Sequence, residues 1–283
     1  MQIKELLNKG TIILKTNGVE SPKLKARLLL QHILNKTRQQ MIIYDTEQVS
    51  KEKEKEYIIN INKLIKGTPL QHITNSQEFM KMNFFVNNDV LIPRADTEIL
   101  VEEVIKIAKQ KKNPIILDLC TGSGAIAVSL AKYIENATIY AVDISENALN
   151  VAQRNAKENN VDQKIKFIKS DMFSEIKQEV KFDIIVSNPP YIRTDVIKQL
   201  NKDVQNEPHI ALDGGKDGLD FYRRIAKEAY TYMKIDSFLC IEIGYDQKID
   251  VIEIIENEKK YATAYCKKDL YGNDRIIVTK ILD

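Results

Sequence analysis

The sequence predicts an α/β protein in which an open, mostly parallel, doubly wound sheet follows a small N-terminal helical domain. Three observations carry this expectation. Before about Gly67 the apolar residues recur at helical spacing. From Thr97 onward, short apolar runs alternate with amphipathic segments. Two of those runs end abruptly in small or cyclic residues, "CTGSG" at 120–124 and "NPPY" at 188–191.

In chain order, Ile3, Leu6 and Leu7, then Leu24, Leu28, Leu29 and Ile33, then Tyr57, Ile58, Ile61, Leu64 and Ile65 each mark one face of a helix. Ser21-Pro22 reads as a cap followed by a first-turn proline, and Ser50 stands before the charged first turn KEKEKE. That charge run reads as a solvated helix face. In "EFMKMNFFVNNDVLIP" two short apolar runs flank Asn87-Asn88-Asp89, a hairpin signal. The alternation after Thr97 predicts helices at 97–110, 124–134, 146–158, 220–234 and 247–257. The seven strands expected between and after them are 115–119, 138–142, 165–169, 182–187, 237–243, 261–266 and 275–281. The expected domains are 1–75 (helical), 76–95 (hairpin linker) and 96–283 (sheet).

Bulk properties set limits. The chain has 283 residues, 43% hydrophobic and 29% charged, as an ordinary globular protein does, and no apolar run reaches the length of a membrane span. The net charge of +2 disfavours a nucleic-acid coat protein. Residues 1–75 carry six more basic than acidic residues while the remainder is net acidic, which hints at an acidic partner for the first part or simply a Lys-rich solvated face. Cys120, Cys240 and Cys266 are odd in number and far apart, and no Cys/His spacing suggests a metal. A reducing cytoplasmic setting is the expectation. His32, His72 and His209 read as packing or surface residues.

After the first strand comes Asp118-Leu-Cys-Thr-Gly-Ser-Gly124, a strand, a small-residue turn and a helix start, which brings backbone N–H groups to a ligand. Asp143, nineteen residues beyond Gly124, ends the second strand and offers a carboxylate to ribose hydroxyls. The loose pattern Gly122-x-Gly124-x-x-Ala127 also fits dinucleotides. Two features favour S-adenosyl-L-methionine instead. Asp118 offers negative charge where a cationic amino-acid tail lies and a pyrophosphate is repelled. The third strand then ends in Ser170-Asp171-Met172-Phe173, a carboxylate for an adenine amino group beside apolar side chains.

The fourth strand ends in Asn188-Pro189-Pro190-Tyr191. Two prolines remove two donors and fix φ twice, so the strand stops in a stiff turn. No group here titrates near neutrality, so the turn is a poor base or nucleophile. It offers an amide oxygen, the Pro189 carbonyl and an aromatic face, which describes a receptor for an NH2 group. Accepting both N–H groups orients a weakly nucleophilic nitrogen toward an electrophilic methyl. Tyr191 is placed to wall the transfer path and to meet a sulfonium by a cation–π contact.

These motifs carry a resemblance. "LIPRADTE" (91–98), "LDLCTGSGAIA" (117–127), "VSNPPYI" (186–192), "ALDGGKDGLDFYR" (211–223) and "KDLYGNDR" (268–275), in that order behind a helical domain, resemble the PrmC/HemK family of protein-(glutamine-N5) methyltransferases. The resemblance covers nearly the whole chain. It implies a Rossmann-like class I methyltransferase sheet, with Cys120, Thr121, Gly122, Ser123, Gly124, Asp143, Asp171 and Met172 holding S-adenosylmethionine. It implies further that Asn188 to Tyr191 hold the glutamine of a Gly-Gly-Gln loop on class I peptide chain release factors, which the helical domain helps to dock. Cys120 stands where the family commonly has Gly. Met172 stands where an aromatic is often found, so adenine stacking is either weaker or passed to Phe173.

Two other readings stay open. N5-glutamine methylation of a ribosomal protein shares every catalytic residue. Methylation of exocyclic amines in nucleic acid shares NPPY but needs a basic phosphate-tracking surface, and the net negative charge of the catalytic part disfavours it. The expectation is a monomer acting on a protein, with neither nucleic acid nor membrane as direct partner. Arg94 is read beside a helix cap at Asp96-Thr97 or as a partner for an acidic residue. Glu242 is read as facing the site or simply ending its strand. The loop 206–220 is read as a lid or as disordered before binding.

Overall fold

The computed structural model describes residues 1–282, and the chain divides into two units. The first unit comprises Met1–Asn75 together with Asn201–Asn206. It is built from α1 (Ile3–Thr16), α2 (Pro22–Leu34), α3 (Arg38–Ile43), α4 (Lys51–Ile65) and α5 (Leu70–Thr74). Ile3, Leu6, Leu14, Leu29, Leu30, Tyr57 and Ile61 form its core. Gly10 is required there, because a Cβ would lie 2.1 Å from the Tyr57 hydroxyl. That hydroxyl donates to the Ala26 carbonyl at 3.1 Å. Ser50 caps α4 by accepting from the Lys53 N–H, and Pro22 sits in the first turn of α2. Ser21 does not cap: its backbone is left-handed at φ 50° and its hydroxyl makes no cap bond.

The second unit begins with the hairpin β1 (Gln77–Phe79) and β2 (Met82–Phe84), paired antiparallel. Its turn is Met80-Lys81, both at positive φ (48° and 58°), and not Asn87-Asn88-Asp89. The Asn run instead forms a side-chain-closed turn, the Asp89 N–H donating to Asn87 Oδ1 at 3.1 Å. The unexpected hairpin turn is held from outside. The Met80 N–H donates to Glu98 at 2.6 Å, and the Tyr133 hydroxyl donates to the Met80 carbonyl at 2.6 Å.

The sheet elements follow in order: α6 (Thr97–Ala108), β3 (Ile115–Leu119), α7 (Ala125–Tyr133), β4 (Thr138–Asp143), α8 (Glu146–Glu158), β5 (Ile165–Lys169) and β6 (Phe182–Ser187). After β6 come α9 (Thr194–Ile197), then α10 (Lys202–Gln205) in the first unit, then α11 (Asp220–Ala229), β7 (Met233–Glu242), α12 (Lys248–Asn257), β8 (Tyr265–Lys268) and β9 (Asp274–Lys280). The strand order is β5-β4-β3-β6-β7-β9-β8. β3 pairs in parallel with both β4 and β6, β6 with β7, while β9 is antiparallel to both its neighbours. Adjacent residues alternate faces, Ile116 and Ile184 packing in one core and Leu117 and Ile185 in the other. β7 starts four residues earlier than expected and carries a bulge opposite Phe182–Ile184, with Asp236 at φ 62°. β8 starts later than expected, Tyr261 making only an isolated bridge to Ile281. The strand order reverses between β3 and β6, so the carboxyl ends of these strands flank the crevice where such sheets bind ligands. Among the described residues no helix is long and apolar enough to cross a membrane.

Candidate active site

At the end of β3 the backbone turns left-handed at Cys120 (φ 59°), Gly122 (54°) and Gly124 (78°) before entering α7. Gly124 also permits a close approach, since a Cβ there would stand 2.9 Å from the Ala152 Cβ on α8. Asp118 braces this loop from beneath. Its Oδ2 accepts from the Thr121 hydroxyl at 2.6 Å and from the Ala127 N–H at 3.2 Å, while Oδ1 is buried without a hydrogen-bond partner. Burial, reinforced by the nearby Asp143 charge, pushes its pKa up to about 7 against the hydrogen bonds that favour ionisation. Asp143 ties the loop to β4, accepting from the Gly122 N–H at 2.8 Å and from the Ser145 N–H at 2.9 Å.

A cavity of about 320 Å³ opens at these strand ends. Of the residues singled out from sequence, Cys120, Gly122, Asp143, Asp171, Met172, Asn188 and Pro190 line it. Asp118, Thr121, Ser123 and Gly124 lie behind the lining as the loop's frame, and Pro189 and Tyr191 are also outside it. Asp171 is held by Arg224, whose Nη1 donates to Oδ1 at 2.8 Å. Met172 is itself left-handed (φ 54°), with its sulfur 3.8 Å from the Cys120 sulfur. Phe173 does not substitute for an aromatic at Met172: it stacks on Tyr232 in the core, ring centroids 5.0 Å apart. The aromatic in the wall is Phe221, and Leu91, Val142 and Ala148 extend the apolar surface. Sequence reasoning missed Phe221 and Arg224. Both belong to α11, three residues apart at the edge of the buried stripe of Tyr222 and Ile225, so that from sequence Phe221 reads as part of that stripe.

The residues fit S-adenosylmethionine. The wall combines apolar surface with the Asp143 and Asp171 carboxylates, whereas Asp118, expected to meet the cationic tail, is wholly buried behind the loop and does not line the cavity.

The turn after β6 is fixed on three sides. The Ser187 hydroxyl donates to the Leu119 carbonyl at 2.8 Å. Gly214 and Gly218 pack on Tyr191, a Cβ at either position coming within 2.7 Å of its Cα or 2.5 Å of its carbonyl oxygen. The Tyr191 carbonyl accepts from Gln247 Nε2 at 3.0 Å, and its hydroxyl donates to Glu242 Oε1 at 3.4 Å. Glu242 therefore reaches toward the site as well as ending its strand. Asn188 Nδ2 donates to the Thr97 hydroxyl at 3.2 Å, a partner that cap chemistry alone does not suggest. Pro208, Ile210 and Ala211 close one side of the cavity. Just before them Glu207, buried, accepts from the Ile92 N–H at 2.8 Å and pairs with Arg94, so this part of the 206–220 loop is fastened.

Known proteins agree with this architecture. A family profile described as the PrmC N-terminal domain matches residues 5–74, and one described as the methyltransferase small domain matches residues 94–207. A release factor glutamine methyltransferase from Clostridium botulinum is 42% identical, and one from Clostridium acetobutylicum 39%, each over 98% of both chains. The chain belongs to the release factor glutamine methyltransferase family. A bifunctional methyltransferase of Rickettsia typhi is 36% identical over 97% of this chain and 56% of its own length. Among solved structures, a Pyrococcus furiosus methyltransferase superposes with a TM-score of 0.52 at 19% identity, covering 80% of this chain and 97% of its own, a likeness of fold. Within this glutamine methyltransferase framework, the left-handed φ of Cys120 explains why glycine suits the position: a side chain there carries about 1 kcal/mol of strain.

Proposed function

We propose that this chain transfers the methyl group of S-adenosylmethionine to the side-chain amide nitrogen (N5) of the glutamine in the Gly-Gly-Gln motif of peptide chain release factors. One observation carries the reading: the carboxamide of Asn188 stands at the cavity wall with its NH2 engaged by Thr97, which leaves its oxygen to accept. Similarity to release factor glutamine methyltransferases over nearly the whole chain supplies the substrate.

When bound, S-adenosylmethionine supplies an electrophilic methyl on a sulfonium. Asn188 Oδ1 and the Pro189 carbonyl accept the two N–H groups of the glutamine amide and align its nitrogen for in-line attack. Their partial negative charge also favours the positive charge that develops on that nitrogen. The nitrogen becomes acidic as it is alkylated, so its proton leaves to solvent without a dedicated base. On the cofactor side, Asp143 and the left-handed loop 120–124 present carboxylate and backbone, and Asp171 with Met172 frames the adenine end. The first unit, with its excess of basic residues, docks the release factor. One chain carries every residue named, so a monomer working in the cytoplasm, where release factors act, suffices.

The test is methyl transfer from labelled S-adenosylmethionine to a class I release factor, to the same factor with Gly-Gly-Gln changed to Gly-Gly-Glu, to ribosomal proteins and to duplex DNA. Label on the first alone, lost with Asn188→Ala, is the expected result. Label on DNA or ribosomal protein instead would overturn the substrate.

A further inference from the structure

We infer that Glu242, acting through the Thr97 hydroxyl, is the positioning residue that turns the Asn188 carboxamide oxygen-first toward the methyl acceptor. The inference rests on the reading of Asn188 as the amide receptor. A carboxamide has two faces of similar shape, and with NH2 outward Asn188 would repel the substrate N–H groups it is meant to accept. Something must choose the face.

The choice follows from counting protons along one chain of side chains. Glu242, at the end of β7, is 1% exposed, and an ionised carboxylate only accepts. The Thr97 hydroxyl faces it and favours its ionised form, as a hydroxyl whose proton turns toward a carboxylate does. A hydroxyl has one proton. Given to Glu242, it leaves only lone pairs for Asn188, whose Nδ2 meets Thr97 Oγ1 at 3.2 Å. Asn188 must then donate inward and accept outward. The same carboxylate accepts from the Tyr191 hydroxyl, so one buried group orients both ends of the turn.

Stability does not explain this carboxylate. Its Oε2 has no well-formed hydrogen bond, and burial pushes its pKa up to about 7. Arg275 on β9 favours its charge, Asp96 before α6 opposes it, and the phenols of Tyr191 and Tyr222 face it. Arg94 and Arg275 in turn act on Tyr191. A buried, strained acid beside a cavity, coupled to two residues of one turn, is a functional arrangement. Protonation of Glu242 frees the Thr97 proton to turn toward Asn188 and reverses the carboxamide.

The experiment measures kcat and KM for release factor methylation from pH 5.5 to 9, with S-adenosylmethionine affinity and melting temperature recorded for each variant. In Glu242→Gln the introduced carboxamide gives its oxygen to Tyr191 and its NH2 to Thr97, reversing the chain's polarity. The expected result is a fall in kcat of about tenfold or more, with the wild-type loss of rate below about pH 7 gone. Cofactor affinity should stay within about twofold, and the melting temperature at pH 8 should be no lower than wild type. Thr97→Val should lower kcat about tenfold, and Thr97→Ser should restore most of it. Wild-type kcat in Glu242→Gln, a Ser variant as slow as the Val variant, or rates that simply track melting temperature would overturn the inference. If Glu242→Gln does not fold, the Thr97 pair still decides. Full activity in Asn188→Ala would instead remove the reading beneath it, whereas an inactive Asn188→Ala beside normal Glu242 and Thr97 variants would sink this inference alone.

Discussion

The carboxyl ends of β3 and β7 present the same strained group in two settings. Asp118 and Glu242 are both buried, both have one oxygen without a well-formed hydrogen bond, and both are pushed up to about 7 chiefly by burial. Asp118 holds partners within nine residues of itself, a hydroxyl in the loop that follows it and a backbone N–H in the first turn of α7. Glu242 gathers side chains from three other segments, Thr97, Tyr191 and Arg275. In the proposed function the first carboxylate fastens a backbone cradle on the cofactor side, and the second governs groups that can rotate on the side where the acceptor nitrogen must be oriented. Local bonding suits a fixed surface, and distributed bonding suits an adjustable one.

The largest effect should come on the acceptor side. Asn188→Ala should lower kcat by a hundredfold or more, about 3 kcal/mol, with cofactor affinity within a few fold of wild type in a calorimetric titration. Comparable loss of cofactor binding would erase the division between the two ends.

The pH dependence sharpens it further. Both carboxyls have folded pKa values above the unfolded ones, so their contribution to stability is complete below about pH 4 and is lost as pH rises through about 7. Glu242→Gln removes one of the two. Urea unfolding should show wild type losing about 2 kcal/mol more than this variant between pH 5 and pH 8. Parallel curves would mean that Glu242 is not the group responsible.

Asp118→Ala strands the Thr121 hydroxyl and the Ala127 N–H, both buried. It should destabilise by about 2 kcal/mol in denaturant unfolding and weaken cofactor binding, with the reaction of bound substrate the less affected step. The smallest effect is at Cys120, where Gly relieves a left-handed side chain. Cys120→Gly should raise stability by no more than about 1 kcal/mol, read as a small rise in melting temperature.

The same contrast governs what could be read from sequence. The glycine loop and its Asp143 partner were legible because their logic is contained in short spacings, and the alternation of apolar runs revealed the sheet. The Met80-Lys81 turn was not, since neither residue favours positive φ and its bonds come from Glu98 and Tyr133. The polar start of β7, "MKID", concealed a strand that continues through a bulge at Asp236. Thr97 looked like a helix-cap residue, and its link to Asn188 spans 91 residues. Phe173 looked available to a ligand until Tyr232 was seen stacked upon it.

The six residues Asn201–Asn206 give the helical unit a history. They belong with Met1–Asn75, where Asp203 pairs with Lys25 at 3.3 Å and Asn206 Nδ2 donates to the Gly67 carbonyl at 3.1 Å. On the ribosome the five helices emerge first, yet their last piece is made only after six strands of the second unit have been translated, about 10 s later at ordinary elongation rates. The nascent helical bundle must wait incomplete through that interval. A chain severed after Asn75 would leave the second fragment holding six residues of the first one's fold.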